Sequence, residues 1–134
     1  MGRPDVEPEV VERLRRMCEA LPEAYEEPAW LGLRWRIRSH TFAHLVRIED
    51  GLPEAFARAA GTPGPVTVLA FRSSGEELAA LTHAGPPYFR TPWGRGAVLV
   101  RLGDDTDWTE IAELVVESYR VQAPKRLAAR LPDP

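Results

Sequence analysis

Arg34, Arg36 and Arg38 occupy every second position of the run Leu33-Arg34-Trp35-Arg36-Ile37-Arg38. On an extended strand this spacing sets three guanidinium groups on one side at intervals of about 7 Å, twice the rise per residue. That interval is close to the phosphate spacing along a nucleic-acid strand, and each planar fork can hold a phosphate through two parallel hydrogen bonds. Arg47 lies in the same acid-free stretch, residues 28–48, and Arg90 and Arg95 lie in a second, residues 86–103. Around the latter pair stand Tyr88, Phe89 and Trp93, rings of the kind that stack on bases or on another planar ligand. The candidate nucleic-acid contacts are therefore Arg34, Arg36, Arg38, Arg47, Arg90 and Arg95, with Tyr88 and Trp93 as stacking residues. A plainer reading competes with this one. Arginines on a solvated sheet face pair with glutamates of neighbouring strands or of the acidic first helix, and Trp35 and Trp93 belong to the core.

Other reactive side chains make weaker patterns. His40 and His44 are four apart, a metal-binding spacing on a helix, but their surroundings read as a turn and a strand, with no carboxylate before Glu49. Asp104, Asp105 and Asp107 lack the spacing and closing glutamate of a calcium loop, so turn formation and helix capping account for them. Ser73-Ser74 and Ser118-Tyr119 have no patterned histidine and no nucleophile elbow. Ser118 falls on the apolar side of a helix and is expected to bond a backbone carbonyl. Cys18 has no basic neighbour in sequence to lower its pKa and reads as a buried core thiol. No loop has the glycines, lysine and following helix of a phosphate cradle. The expectation is no catalytic residue, no metal and no cofactor.

The elements that must position these groups follow from periodicity. Val10, Leu14, Met17, Cys18 and Leu21 form the apolar stripe of a surface helix, opened by Pro8 and stopped by Pro22. Residues 24–27, 33–38 and 41–48 read as strands. The strict alternation of the second predicts an antiparallel sheet with one face on the core. A short helical turn over 53–60 and a Gly/Pro loop follow, then a strand over 66–71. Ser74-Gly75-Glu76-Glu77 has the form of a capping box opening a helix to Leu81. Residues 86–94 read as loop and 96–102 as the last strand. Asp107 then caps a long helix bearing Ile111, Leu114, Val115, Ser118 and Val121, ended by Pro124, with a short basic helix to Leu131. Stripes and alternation alike need an apolar partner surface. The prediction is a single two-layer α+β domain over residues 1–134, an antiparallel sheet of about five strands with helices mainly on one face.

With 134 residues, the chain is long enough for one real core. Its 44% hydrophobic and 28% charged residues are those of an ordinary globule. No apolar run approaches membrane-spanning length, and the acidic N-terminus has no apolar signal region. One cysteine excludes an internal disulfide. The expected home is the cytoplasm, with no membrane partner. A net charge of −3 conceals segregation: eight carboxylates crowd residues 5–27, whereas the two stretches named above hold none.

Two segments, LPEAYEEPAWLGLRWRIRSHTFAHL (21–45) and PPYFRTPWGRGAVLVRLGDDTDWTEIAELVVESYRVQAPKRLAARL (86–131), resemble the MmcQ/YjbR family of small α+β domains. The likeness rests on Trp30 or Trp35, Trp93, the strand over 99–102 and Glu117-Ser118-Tyr119. It implies an N-terminal helix, antiparallel strands, a Trp-bearing loop and a final helix. It also implies a DNA-binding label that rests on fold-level analogy. The chain departs from the family's Gly-Lys before Phe-Ala: it has Ser39-His40-Thr41 before Phe42-Ala43, without the lysine drawn as a phosphate contact. The sequence thus points to a non-enzymatic binding module with DNA as first candidate ligand. The alternative is a small planar metabolite or drug held by Tyr88, Phe89 and Trp93 against Trp30 and Trp35. An enzyme is the least supported class, because no acid, base or nucleophile has a tuning partner at a recognisable spacing.

Overall fold

The structure, a computed structural model, describes residues 6–94 and 96–132. Helix α1 (Pro8–Glu19) leads into β1 (Tyr25–Pro28), β2 (Leu33–Ile37) and β3 (His40–Ile48). Then come α2 (Glu54–Ala60), β4 (Val66–Arg72), α3 (Gly75–Ala84), β5 (Tyr88–Arg90), β6 (Ala97–Leu102), α4 (Trp108–Gln122) and α5 (Lys125–Ala128). The strands form one antiparallel sheet in the order β1-β2-β3-β4-β6-β5. The two-layer α+β expectation holds, but the sheet has six strands rather than five. The addition is β5, which sequence reading assigned to loop. Three residues between Pro87 and Thr91 show no usable alternation, and only pairing with Val98, Leu99 and Val100 makes them a strand.

The main core lies between one sheet face and α1, α3 and α4. Trp35, Ile37, Ala43, Leu45, Leu69, Phe71, Val98 and Val100 meet Leu14, Cys18, Leu81, Ile111, Leu114, Val115 and Tyr119 there. A second, smaller cluster sits on the opposite face, where α2 lays Phe56, Ala57 and Ala60 on Val46, Ile48, Val68 and Leu99. Seven helical residues cover only part of that face, and the remainder is open.

A bulge sets which side chains reach the open part. Trp35 pairs with Ala43 and Arg36 with Thr41, so Phe42 is the extra residue of β3. It turns its ring into the main core, edge-on to Tyr119 at 5.5 Å between centroids. The carbonyl freed by the bulge accepts the Ser118 hydroxyl at 2.6 Å, and Ser118 Oγ in turn accepts the Arg72 N–H at 2.8 Å. The β3–β4 ladder stops at Ala43–Phe71, so one buried serine from α4 takes over where the ladder ends. Gln122 Nε2 donates to the Thr41 carbonyl at 2.9 Å beside it. The expected carbonyl bond of Ser118 is therefore present, but across to β3 rather than within its own helix. Tyr119 donates likewise to the Pro22 carbonyl at 2.6 Å.

The caps differ between the two expected boxes. Asp107 accepts from the N–H groups of Thr109 and Glu110 and caps α4 as predicted. Ser74 stands at the N-cap of α3 without a side-chain cap bond; Ser73, buried, instead donates to Glu77 at 2.6 Å. Cys18 is fully buried, and burial pushes its thiol far above the ordinary range, with Glu26 and Glu19 adding to it.

Candidate functional site

The open part of the α2-side face is a cleft of about 180 Å³ lined by Arg34, Thr41, His44, Phe56, Ala70, Arg72, Trp93 and Ala97. Its floor is sheet. Arg34 and His44 face each other as a cross-strand pair, as do His44 and Ala70. Arg72 continues the same side of β4 and pairs with Ala97. One strand separates β2 from β4, so Arg34 and Arg72 stand on backbones about 9.5 Å apart. The walls are aromatic. Phe56 of α2 packs against Trp93 of the β5–β6 loop at 4.7 Å between centroids and against His44, edge-on, at 5.6 Å. Trp93 is held because its N–H donates to Thr91 Oγ1, which itself donates to the Ala97 carbonyl at 3.1 Å.

His44 has one defined role for each ring nitrogen. Nε2 lies 2.5 Å from the Leu31 carbonyl, which can only accept, so Nε2 carries the proton and the neutral ring offers Nδ1 as an acceptor. Burial, and to a lesser extent the Arg34 charge, hold the imidazole below its ordinary 6.5 against the opposing Leu31 bond. The loop that delivers Leu31 depends on Gly32. Its φ is +68°, and a Cβ there would lie 1.9 Å from the Leu45 carbonyl oxygen.

The structure divides the arginines singled out by sequence. Arg34 and Arg36 share the cleft face, where Glu27 of β1 takes both: Arg34 Nε at 2.6 Å and Arg36 at 3.4 Å. Arg36 also donates to the Ser39 carbonyl at 2.6 Å. Arg38 sits in the β2–β3 turn with φ +54° and pairs with Glu23 at 2.9 Å. Arg47 projects to the other side, toward α1, between Glu7, Glu49 and Thr67. Glu7 is desolvated, yet the Thr67 hydroxyl, its own backbone and Arg47 together hold its carboxyl below the ordinary range. Arg90 also faces that side, in a groove with Leu78, Ala79, Thr82 and His83 of α3. Arg95 lies outside the described residues. The glutamate-paired sheet surface therefore describes Arg34, Arg36, Arg38 and Arg47, drawing on β1, the loop before it and the start of α1.

The stacking residues are divided too. Tyr88 pairs with Val100 on the helix side and lines a depression with Asp105, Asp107 and Glu110. Burial first, then Glu110, push its hydroxyl far above the ordinary value. Trp93 alone reaches the cleft. Of the other rings proposed for a planar ligand, Trp35 is fully buried in the main core and Trp30 is 83% exposed in the β1–β2 connection. Arg72, Thr41 and Phe56 were missed by sequence reading. Arg72 ends an apolar run and carries no local signal, and its place beside Ala97 follows only from register.

His40 is exposed at the start of β3. Among the described residues, no three His, Cys, Asp or Glu side chains gather as a metal site, and no helix is long and apolar enough to cross a membrane.

Comparison with known proteins agrees with this architecture. The family model described as YjbR matches residues 19–121. No curated protein matches the chain. Among solved structures, the chain is similar to a crystal structure of a protein from Pseudomonas syringae, a Northeast Structural Genomics Consortium target. The two share 14% identity at a TM-score of 0.58, over 87% of this chain and 98% of that one. At that identity, the likeness is one of fold.

Proposed function

The chain belongs to the YjbR family, and we propose that it is a non-enzymatic binding module whose α2-side cleft takes a small, flat, anionic molecule. The observation that carries this reading is the meeting of Arg34 and Arg72 with the rings of Trp93, Phe56 and His44 around one opening. Drug-sized ligands occupy pockets of about 300–1,000 Å³. A cleft of 180 Å³ fits one ring bearing one acidic group. Guanidinium forks supply charge-assisted bonds to the anion, and a ring stacked or tilted on Trp93 adds about 0.5–1.5 kcal/mol.

The depression beside Tyr88 and the groove beside Arg90 are larger, 330 and 360 Å³. The first sets three carboxylates against one arginine, and the second, among the described residues, offers one arginine and the His83 ring without a Trp or Phe wall. DNA is the rival ligand. A duplex calls for a continuous positive surface, whereas Arg34 and Arg36 face away from Arg47 and Arg90, and glutamates intervene.

Calorimetric titration with benzoate at low salt, alongside anisotropy with labelled duplex and single-stranded DNA, tests the proposal. Saturable benzoate binding that weakens about tenfold in Arg72→Gln, a loss of about 1.4 kcal/mol, is the expected result. DNA binding with a steep salt dependence, and no anion binding in the cleft, would overturn it.

A further inference from the structure

We infer that the cleft selects, among flat anions, nitrogen heteroaromatic acids that carry a ring N–H. This inference rests on the anion-cleft reading above and adds a second recognition element to it. The observation is the tautomer of His44. The Leu31 carbonyl takes the Nε2 proton at 2.5 Å, so the ring cannot present Nε2 to a ligand and cannot carry its proton on Nδ1 while neutral. Two features keep it neutral: burial, and Arg34 directly across the β2–β3 ladder. No hydrogen bond to Nδ1 is found among the described residues, and His44 is one of the residues that line the cleft.

The cleft therefore combines donors with an acceptor. Arg34 and Arg72 can only donate, His44 Nδ1 can only accept, and Thr41 can do either. A simple aryl carboxylate satisfies the arginines and leaves Nδ1 facing a C–H edge. A ring with an N–H on the edge away from its carboxylate satisfies both. Leaving a polar group of the site unpaired is how a site built around a hydrogen bond rejects an analogue without the donor. The edge-on contact with Phe56 and the anchor to Leu31 fix the plane of the imidazole, so Nδ1 has a set direction rather than a search over rotamers.

The probes are uracil-6-carboxylate (orotate), which has two ring N–H groups and a carboxylate, and benzoate, which has the carboxylate alone. Both are titrated by calorimetry against the full chain and against His44→Phe, which keeps a ring beside Phe56 and removes the acceptor. Orotate is expected to bind at least about tenfold more tightly than benzoate in the native chain, and His44→Phe is expected to abolish that preference. Equal affinities, or a preference that survives in His44→Phe, would overturn the inference and leave the anion cleft standing. Failure of both acids to bind the folded native chain would overturn the cleft itself. Should His44→Phe not fold, the ¹⁵N resonance of His44 Nδ1 in the native protein decides. A shift on adding orotate but not benzoate supports the inference, and no shift with either overturns it.

Discussion

The two faces of this sheet are built from the same strands, yet they cover their polar groups to different extents. On the helix side the buried hydroxyls of Ser118, Tyr119 and Thr67 are bonded within the fold. Ser118 bridges Phe42 and Arg72, Tyr119 reaches Pro22, and Glu7 and Arg47 meet over Thr67. On the α2 side a helix of seven residues leaves Arg34, His44, Arg72 and Trp93 around an opening. The difference teaches that coverage, not residue type, decides whether a polar group lies inside the fold or lines an opening. Arg34 and Arg47 are the same residue on neighbouring strands. One borders a cleft, and the other is half-buried among Glu7, Glu49 and Thr67.

Two tryptophans give the sharpest contrast. Trp35 is fully buried on the helix side, and Trp35→Ala is expected to cost about 3–5 kcal/mol in urea unfolding. Trp93→Ala on the cleft side should cost about 1–2 kcal/mol, the loss of one half-buried ring contact, while lowering benzoate affinity severalfold. Equal losses of stability would erase the distinction between the faces. Next in size is Ser118→Ala. It strands the Phe42 carbonyl and the Arg72 N–H in the interior, so a loss of about 2–4 kcal/mol is expected in the same measurement. A loss below about 0.5 kcal/mol would mean that those groups find other partners.

The acid limb of stability separates the faces by pH. The His44 pKa is depressed below 6.5 in the folded chain, so the unfolded chain takes up the proton first. Its contribution is complete above pH 6.5 and is lost as the pH falls through the folded value. Glu7 on the helix side lies below its ordinary 4.5. Glu26, lowered first by its bond to Arg15 at 2.8 Å, does the same. Their contributions begin to disappear only below pH 4.5 and are lost through their own lower values. Urea midpoints followed from pH 7 to 3 should therefore fall in two stages. The upper stage should be absent in His44→Phe and retained in Glu7→Gln.

The smallest effect expected is at Glu27, which draws on both Arg34 and Arg36. The pair is about a third exposed, so Glu27→Gln should change stability by less than about 1 kcal/mol. Because the substitution releases Arg34, benzoate binding should strengthen. Weaker binding would show that Glu27 orients Arg34 rather than competing for it.

Much of the fold was legible because it rests on local patterns. The alternation over 33–38 placed Trp35 and Ile37 inward, the α1 stripe placed Leu14 and Cys18 in the core, and Asp107 announced its helix. The Ser-Tyr pair shared with the YjbR pattern likewise proved structural, through two hydroxyls donated to distant carbonyls. β5 was not legible, since three residues become a strand only when a neighbour supplies the ladder. The candidate site was half legible. Arg34 and Trp93 were named from composition and spacing, but they were grouped with Arg47, Arg90 and Tyr88, which face the other way.

What the amino-acid order determined by itself was the period of each element, hence which side of each strand or helix is apolar. Period two and period 3.6 are properties of the chain within a single turn or strand. Only the tertiary structure decided which side of the sheet each helix covers, that the Phe42 bulge shifts the pairing beside Arg36, and that Arg34, His44, Arg72 and Trp93 converge. Those outcomes depend on register between segments tens of residues apart. A shift of one residue there exchanges the faces without altering any local pattern.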